Sequence, residues 1–142
     1  MIEKKPIDAK VFLDSNIIIY LYSAQETNKT IIVESLINNF SRRIVSTQVL
    51  NEFINVMYKK RSINIESLTL GIKEILGVFA LVHITTDTIY LALHIANKCK
   101  YTYFDSLIIA SALENGCDIL FTEDMHHNHI IEDKLAIINP FK

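Results

Sequence analysis

The sequence is poor in glycine and cysteine, and each shortage excludes a class of protein. Three glycines among 142 residues leave no glycine-rich phosphate loop, which argues against Rossmann-type and P-loop nucleotide sites. The two cysteines, Cys99 and Cys117, are too few for a disulfide framework or a four-thiolate zinc site. The N-terminus lacks the apolar segment of a signal peptide, and no apolar run approaches the ~18 residues that span a bilayer. We therefore expect a cytoplasmic protein with free thiols.

The chain also lacks a strong charge of either sign. It carries 14 basic and 16 acidic residues, a formal charge of -2. A polyanionic substrate would therefore have to be held by local patches or bound cations rather than by an overall field. Half of the residues are hydrophobic, which is enough for a sizeable core. The length predicts one domain spanning residues 1–142.

Short apolar runs alternate with segments of helical periodicity. This alternation predicts an α/β fold, in which a parallel sheet with right-handed crossovers carries helices on both faces. In the helix predicted over residues 86–100, the spacing places Ile89, Leu93 and Ala96 on the buried face. The other predicted helices cover residues 27–40, 48–60, 64–79 and 101–114. The predicted strands cover residues 11–13, 43–47, 81–84, 118–122 and 135–138.

Four carboxylates fall at one edge of the predicted sheet. Asp14 follows the first strand and Asp124 follows the fourth. Glu52 lies just over one turn into the helix that leaves the second strand, and Asp105 begins the helix that leads to the fourth. If the strand order is 3-2-1-4-5, all four face the crevice where open parallel sheets bind ligands.

Crowded carboxylates are unfavourable unless a cation lies between them. Oxygen ligands without cysteine or paired histidine favour Mg²⁺ or Mn²⁺ over zinc. Such ions activate water and stabilise phosphoryl transfer, so that chemistry needs no side-chain nucleophile. The acids therefore predict a metal-dependent nuclease.

Each acid also has a purely structural interpretation. Asp14, Asp105 and Asp124 stand where helix N-caps occur, and an isolated Glu52 would usually be a solvated residue at the edge of a helix. Asp87 serves as a comparison, because it also begins a helix but follows an outer strand, and we assign it to capping. The position of all four acids at one edge favours a site.

Three further groups of side chains are candidate ligand contacts. His126, His127 and His129 lie in one polar loop, whereas zinc sites take ligands from two elements. We therefore expect solvated histidines, one of which could still contact a phosphate. Tyr101 and Tyr103 could stack on bases or pack in the core, and both interpretations stay open. Candidates for contacts to a phosphate backbone are Arg42, Arg43, Lys59, Lys60 and Arg61.

Five motifs in order, FLDSNIIIY, TQVLNEF, FDSLIIASAL, ILFTED and a terminal IINPF, resemble the PIN-domain nucleases. Within that family the chain is similar to the short VapC-like ribonuclease toxins of toxin–antitoxin systems. The resemblance covers nearly the whole chain. It implies a three-layer α/β/α fold with a five-stranded parallel sheet of order 3-2-1-4-5, and cleavage of RNA with Mg²⁺ or Mn²⁺.

The resemblance also implies partners and roles for individual residues. The implied partners are an RNA substrate, a small antitoxin protein and a second copy of the chain in a homodimer. The implied catalytic and metal-binding acids are Asp14, Glu52, Asp105 and Asp124, with Asn16 and Thr122 as supporting polar groups.

Three other functions compete with the nuclease. A phosphatase of the haloacid dehalogenase type needs a second aspartate where this chain has Asn16, and a receiver domain needs a lysine where it has Asn139 and Pro140. A non-catalytic module of the same fold would use the amphipathic helices within residues 27–79 to bind a protein. Four clustered acids argue against that module, and divalent-metal binding would separate the two.

Overall fold

A six-stranded, mostly parallel sheet forms the centre of the protein, with helices on both of its sides. The computed structural model describes residues 8–22 and 27–142. The strands are β1 (Lys10–Leu13), β2 (Arg42–Ser46), β3 (Ala80–Val82), β4 (Ile119–Phe121), β5 (Ile130–Ile131) and β6 (Leu135–Ile138). The α-helices are α1 (Ser15–Ile18), α2 (Asn28–Asn39), α3 (Thr47–Asn55), α4 (Ile65–Val78), α5 (Thr86–Cys99) and α6 (Tyr103–Glu114). A 3₁₀ turn (Ile19–Tyr22) continues α1, and a π-helical turn (Val56–Lys60) continues α3.

The strands are ordered β3-β2-β1-β4-β6-β5. The strand predicted fifth in sequence is β6, so the predicted order 3-2-1-4-5 is confirmed. The difference is β5, a two-residue strand that pairs antiparallel with β6 at the edge of the sheet. In the centre β1 pairs in parallel with both β2 and β4. The ends of β1 and β4 are therefore neighbours.

The most apolar segments lie in the middle of the structure. Val11, Phe12 and Leu13 of β1 are fully buried, as expected for a central strand covered on both faces. The core also includes residues 106–112 of α6, all of them buried. This helix ends before Gly116, whose φ of +66° suits the left-handed turn that often follows a helix. No helix within the described ranges is long and apolar enough to cross a membrane.

The buried face of α5 differs from the predicted one. Ile89 and Leu93 were expected inside but are 38% and 51% exposed, while Ala92 and Ile95 are buried. The prediction was wrong because α5 contacts α6 through small side chains, with Ala92 packing against Ala110 and Leu107. Small residues allow close approach of the two helices, and a hydrophobicity pattern gives them little weight.

Candidate active site

One half of the site lies at the ends of β1 and β4. The backbone N–H of Asp14 donates to the carbonyl of Phe121 at 3.0 Å, which ties the two strand ends together. The Asp14 side chain is 5% exposed and caps α1, because its Oδ1 accepts from the N–H of Ser15 at 2.7 Å. Its Oδ2 accepts from the hydroxyl of Thr122 at 2.9 Å. Both oxygens are thus held in place.

Asn16 joins Asp14 to Asp124 through Thr122. The Nδ2 of Asn16 donates to Asp124 Oδ2 at 2.9 Å and to Thr122 Oγ1 at 3.2 Å. The N–H of Asp124 also donates to Thr122 Oγ1, at 3.3 Å. Asp124 lies in a turn that no helix follows, so its interpretation as an N-cap is wrong. The four side chains form one hydrogen-bonded network.

The other half of the site is carried by α3 and α6. Glu52 is half-buried on α3, and its Oε1 is buried with no hydrogen-bond partner among the described residues. Asp105 lies in the first turn of α6, but Thr102 is the N-cap, since its Oγ1 accepts from the N–H of Asp105 at 3.2 Å. The expectation that Asp105 caps this helix is therefore wrong. The spacing of Thr102 and Asp105 is the capping pattern that would have indicated the cap.

The electrostatic environment of Asp14 disfavours its charged form. Burial is the largest cause and raises its pKa to about 6, from an ordinary value of 3.8. The hydrogen bonds from Thr122 and Ser15 oppose this rise, while the charges of Asp105 and Asp124 add to it. Asp14 is therefore a buried carboxylate whose charge the hydrogen bonds only partly compensate.

The pKa values of Glu52 and Asp105 are also raised. Burial, followed by the charges of Asp14, Asp105 and Asp124, raises the pKa of Glu52 to about 7. Burial is also the main cause that raises the pKa of Asp105, with Thr102 opposing the rise and Asp124 adding to it. The structure thus brings all four predicted acids together at one edge of the sheet.

No base balances this charge within residues 8–22 and 27–142. In those ranges no lysine, arginine or histidine forms an ion pair with any of the four acids. The next acid in the chain, Glu123, faces another way, since it accepts from the Tyr20 hydroxyl at 2.8 Å and pairs with Lys29 at 3.1 Å. The edge is therefore negative and suits a cation.

A hydrated divalent ion fits this edge better than a closed cage of side chains. In the described part of the chain, no group of three or more His, Cys, Asp or Glu side chains could by itself hold a metal ion. Mg²⁺ keeps several of its waters and binds to proteins through one or two carboxylates. The buried Asp14 and the unpartnered Oε1 of Glu52 are hard oxygen donors of the required type.

The histidine loop differs from its prediction. His127 Nδ1 accepts from the N–H of Asn139 at 2.9 Å, and His129 Nδ1 shares a hydrogen bond of 2.7 Å with the Tyr101 hydroxyl. The His126 ring packs on Tyr101, with centroids 5.5 Å apart. The loop histidines are therefore contacts of the fold rather than simply solvated.

Arg43 also has a role in the fold. Its guanidinium donates to the carbonyls of Val78, Ile37 and Phe40 at 3.0, 2.8 and 2.6 Å. These bonds hold the start of β2 against the ends of α2 and α4. The Arg43 side chain is thus engaged in contacts within the fold. That the other basic candidates contact a phosphate backbone stays a prediction.

Comparison with known proteins agrees with this architecture. The PIN domain family matches residues 11–132. A toxin–antitoxin complex from Klebsiella pneumoniae is similar in structure (TM-score 0.70, 17% identity, 92% of this chain and 98% of that chain covered). The sarcin–ricin loop cleaving toxin VapC20 from Mycobacterium tuberculosis is also similar (TM-score 0.66, 18% identity, 81% of this chain and 90% of that chain covered). FitAcB from Neisseria gonorrhoeae is similar as well (TM-score 0.63, 17% identity, 92% of this chain and 98% of that chain covered). Comparison with curated proteins gives no significant match. Because the family match covers most of its residues, the chain belongs to the PIN domain family.

Proposed function

We propose that the protein is an endoribonuclease that depends on Mg²⁺ or Mn²⁺ and acts in the cytoplasm as the toxin of a toxin–antitoxin pair. The observation that carries the proposal is the meeting of four carboxylates at one sheet edge, with no ion pair to a base among the described residues. Membership of the PIN family supports a nuclease. The similarity to VapC20, a toxin that cleaves the sarcin–ricin loop, supports RNA as the substrate.

In this proposal the acids bind the metal and the neighbouring polar side chains orient the acids. Asp14, Glu52, Asp105 and Asp124 would together hold a hydrated metal, with some of the carboxylates contacting it through its waters. When bound, the metal supplies positive charge to the phosphodiester and activates the attacking water. Thr122 and Asn16 fix the orientation of Asp14 and Asp124 through the bonds described above. Phosphoryl transfer depends mainly on such positioning and on charge stabilisation.

A bound cation would also reverse the electrostatic cost of the site. Without metal, the raised pKa values of Asp14 and Glu52 mean that burial and mutual repulsion disfavour their charged forms. A divalent ion would favour the charged forms of both carboxylates. The site would thus be fully ionised only when it is loaded.

Protein partners are the second part of the proposal. The similar structures include a toxin–antitoxin complex from Klebsiella pneumoniae, which supports an antitoxin partner. Large apolar side chains are exposed on α4 and α5, and such surfaces often mark protein interfaces. They support binding of an antitoxin and of a second copy in a homodimer. The most exposed on these helices are Ile65, Leu70, Tyr90 and Leu93.

The direct test is cleavage of RNA by metal-free protein to which ions are returned. After EDTA treatment, Mg²⁺ or Mn²⁺ should restore cleavage by the wild type but not by Asp105→Asn. Asp87→Asn is the matched control, because Asp87 also lies in the first turn of a helix, where Thr85 rather than Asp87 is the N-cap. Its charge is not among those that raise the pKa of Asp14 or Glu52. Circular dichroism should show that both variants are folded.

Normal cleavage by Asp105→Asn, or none by the wild type with any ion, would reject the nuclease. Calorimetry without divalent-metal binding would favour the non-catalytic interaction module instead. Growth should slow when the wild type is expressed alone and recover when its antitoxin is co-expressed.

A further inference from the structure

A cavity of about 550 Å³ opens beside Glu52, between α3 and the start of α6. This volume lies within the range of small-molecule sites. Its lining combines side-chain amides from α3 with apolar groups from α6. Because Glu52 is both a lining residue and one of the four acids, the cavity adjoins the proposed catalytic edge. The lining includes Gln48, Asn51, Glu52, Asn55, Phe104 and Leu107.

Gln48 presents a buried acceptor without a partner. Its Nε2 donates to the carbonyl of Phe104 at 3.0 Å, while its Oε1 is buried and has no hydrogen-bond partner among the described residues. Nearly all buried polar atoms in proteins are hydrogen-bonded, and leaving one unpaired is costly. Glu52 lies one turn further along α3, and its Oε1 is unpaired in the same way. A ligand that carries N–H or O–H donors would satisfy these acceptors, provided that the two side chains, whose Oε1 atoms are covered in this structure, turn toward the cavity.

Phe104 supplies an aromatic surface to the same cavity. Its side chain is 65% exposed, although it lies next to Asp105 in the first turn of α6. The Tyr103 ring packs edge-on against it with centroids 5.5 Å apart, which limits its movement. A supported and exposed ring beside fixed polar groups is the arrangement that binds flat heterocycles by stacking.

We propose that this cavity holds one unpaired nucleobase of the RNA, next to the bond that is cleaved. The base stacks on Phe104 and donates an N–H to Gln48 Oε1. This inference rests on the proposed nuclease function, which it deepens by naming a determinant of sequence preference. Gln48 selects bases whose edge turned to α3 carries an amino or imino donor, and Phe104 contributes affinity for every base.

The first experiment detects binding without catalysis. Each of the four ribonucleoside 5′-monophosphates is added to the whole, metal-free protein in EDTA, and the side-chain amide signals are followed by NMR. The sequence has two glutamines, Gln25 and Gln48, so Gln48→Leu assigns the signal. At least one nucleotide should shift the Gln48 amide, and Phe104→Ala should weaken that binding at least about fivefold. No shift with any of the four nucleotides would overturn the pocket.

The second experiment measures sequence preference with a randomised RNA pool and sequencing of the cut ends. The wild type should prefer certain bases at one position by about tenfold, the value of one well-made hydrogen bond. Gln48→Leu should still cleave but lose the preference at that position. Asn97→Leu replaces an exposed amide on α5 and Tyr58→Ala replaces an exposed ring just after α3, and both variants should keep the preference.

The two experiments separate failure of the pocket from failure of the nuclease. A Gln48 shift in a protein that cleaves no RNA would reject the nuclease and leave a nucleotide-binding pocket. Cleavage whose base preference is unchanged in Gln48→Leu, and whose rate is unchanged in Phe104→Ala, would overturn the pocket and leave the nuclease. If Gln48→Leu and Phe104→Ala cleave with an unchanged base preference but no longer dimerise, the cavity belongs to an interface between copies of the chain.

Discussion

The two halves of the acidic site are built differently. On the β1–β4 side, both oxygens of Asp14 accept hydrogen bonds, and Thr122 and Asn16 connect it to Asp124. On the α3 side, Gln48 Oε1 and Glu52 Oε1 are buried and have no hydrogen-bond partner within residues 8–22 and 27–142. The first half is held by hydrogen bonds, and the second contains acceptors that no described residue satisfies.

This contrast indicates which half defines geometry and which receives ligands. A carboxylate whose oxygens are fixed by hydrogen bonds, as those of Asp14 are by Ser15 and Thr122, orients a metal at little cost in entropy. Unsatisfied buried acceptors destabilise the fold until a cation or a donor reaches them. We therefore assign the β1–β4 side to positioning and the α3 side to contacts that form on binding.

The largest effect should come from the fixed half. Asp14→Asn preserves the shape of the side chain but removes its charge. We expect kcat for RNA cleavage to fall on the order of 10³-fold, as for other single preorganised electrostatic groups. Gel-based cleavage assays at saturating Mg²⁺ would measure the loss. A variant that retains a tenth or more of the wild-type rate would show that the fixed half is not essential.

The next largest effect is on stability in the absence of metal. The raised pKa of Asp14 means that the folded state binds its proton more tightly than the unfolded state does. This stabilisation is complete below the ordinary value of 3.8 and is lost as the pH rises through about 6, because the charged form is disfavoured in the folded state.

Asp14→Asn does not titrate at this position. The variant should therefore gain stability relative to the wild type between about pH 4 and pH 7, by up to about 3 kcal/mol for a shift of two pKa units. Urea denaturation in EDTA at several pH values would measure the difference in free energy of unfolding. A difference that is independent of pH would contradict the assignment of a buried, ionising Asp14.

A smaller effect should follow when the network is broken without removing a carboxylate. Thr122→Val is nearly isosteric but removes the hydroxyl that donates to Asp14 and accepts from Asn16 and Asp124. Loss of such an orienting group typically costs about 10- to 100-fold in activity or metal affinity. Thr88→Val is the control, because it removes a buried hydroxyl from α5. It measures how much activity is lost when any buried hydroxyl is removed. Equal activity in the two variants would show that the hydrogen-bonded network does not contribute to catalysis.

The smallest effect should come from the neighbouring acid outside the site. Glu123 is adjacent to Asp124 in sequence but bonds to Tyr20 and Lys29. Glu123→Gln should therefore leave the cleavage rate unchanged, whereas Asp124→Asn should lower it. If both variants lose activity equally, the cleavage rate depends on the total negative charge at this edge and not on the position of each carboxylate.

Much of the fold could be predicted because its signals are local and repeated. Buried parallel strands appear as short apolar runs such as the one in β1, and chain order then limits the topology. The strand β5 carries no such signal, since it has only two residues. The tight turn to β6 places Glu132 and Asp133 at φ of 53° and 56°, where a sequence pattern would expect asparagine or glycine.

The convergence of the acids could also be predicted, since the ends of parallel strands meet at one edge. What the sequence could not show is how each acid is held. The bond from Thr122 to Asp14 joins residues 108 positions apart, and the orientation of Gln48 depends on the backbone carbonyl of Phe104. Such contacts depend on tertiary packing, which no local spacing encodes.

Binding of Mn²⁺ tests the central contrast most directly. Electron paramagnetic resonance would follow Mn²⁺ titrated into metal-free wild type, Glu52→Gln and Glu123→Gln. We predict that the wild type and Glu123→Gln bind the ion equally, and that Glu52→Gln binds it at least about tenfold more weakly. Equal affinity in all three proteins, or no binding by the wild type, would contradict the assignment of Glu52 to the ligand-binding half of the site.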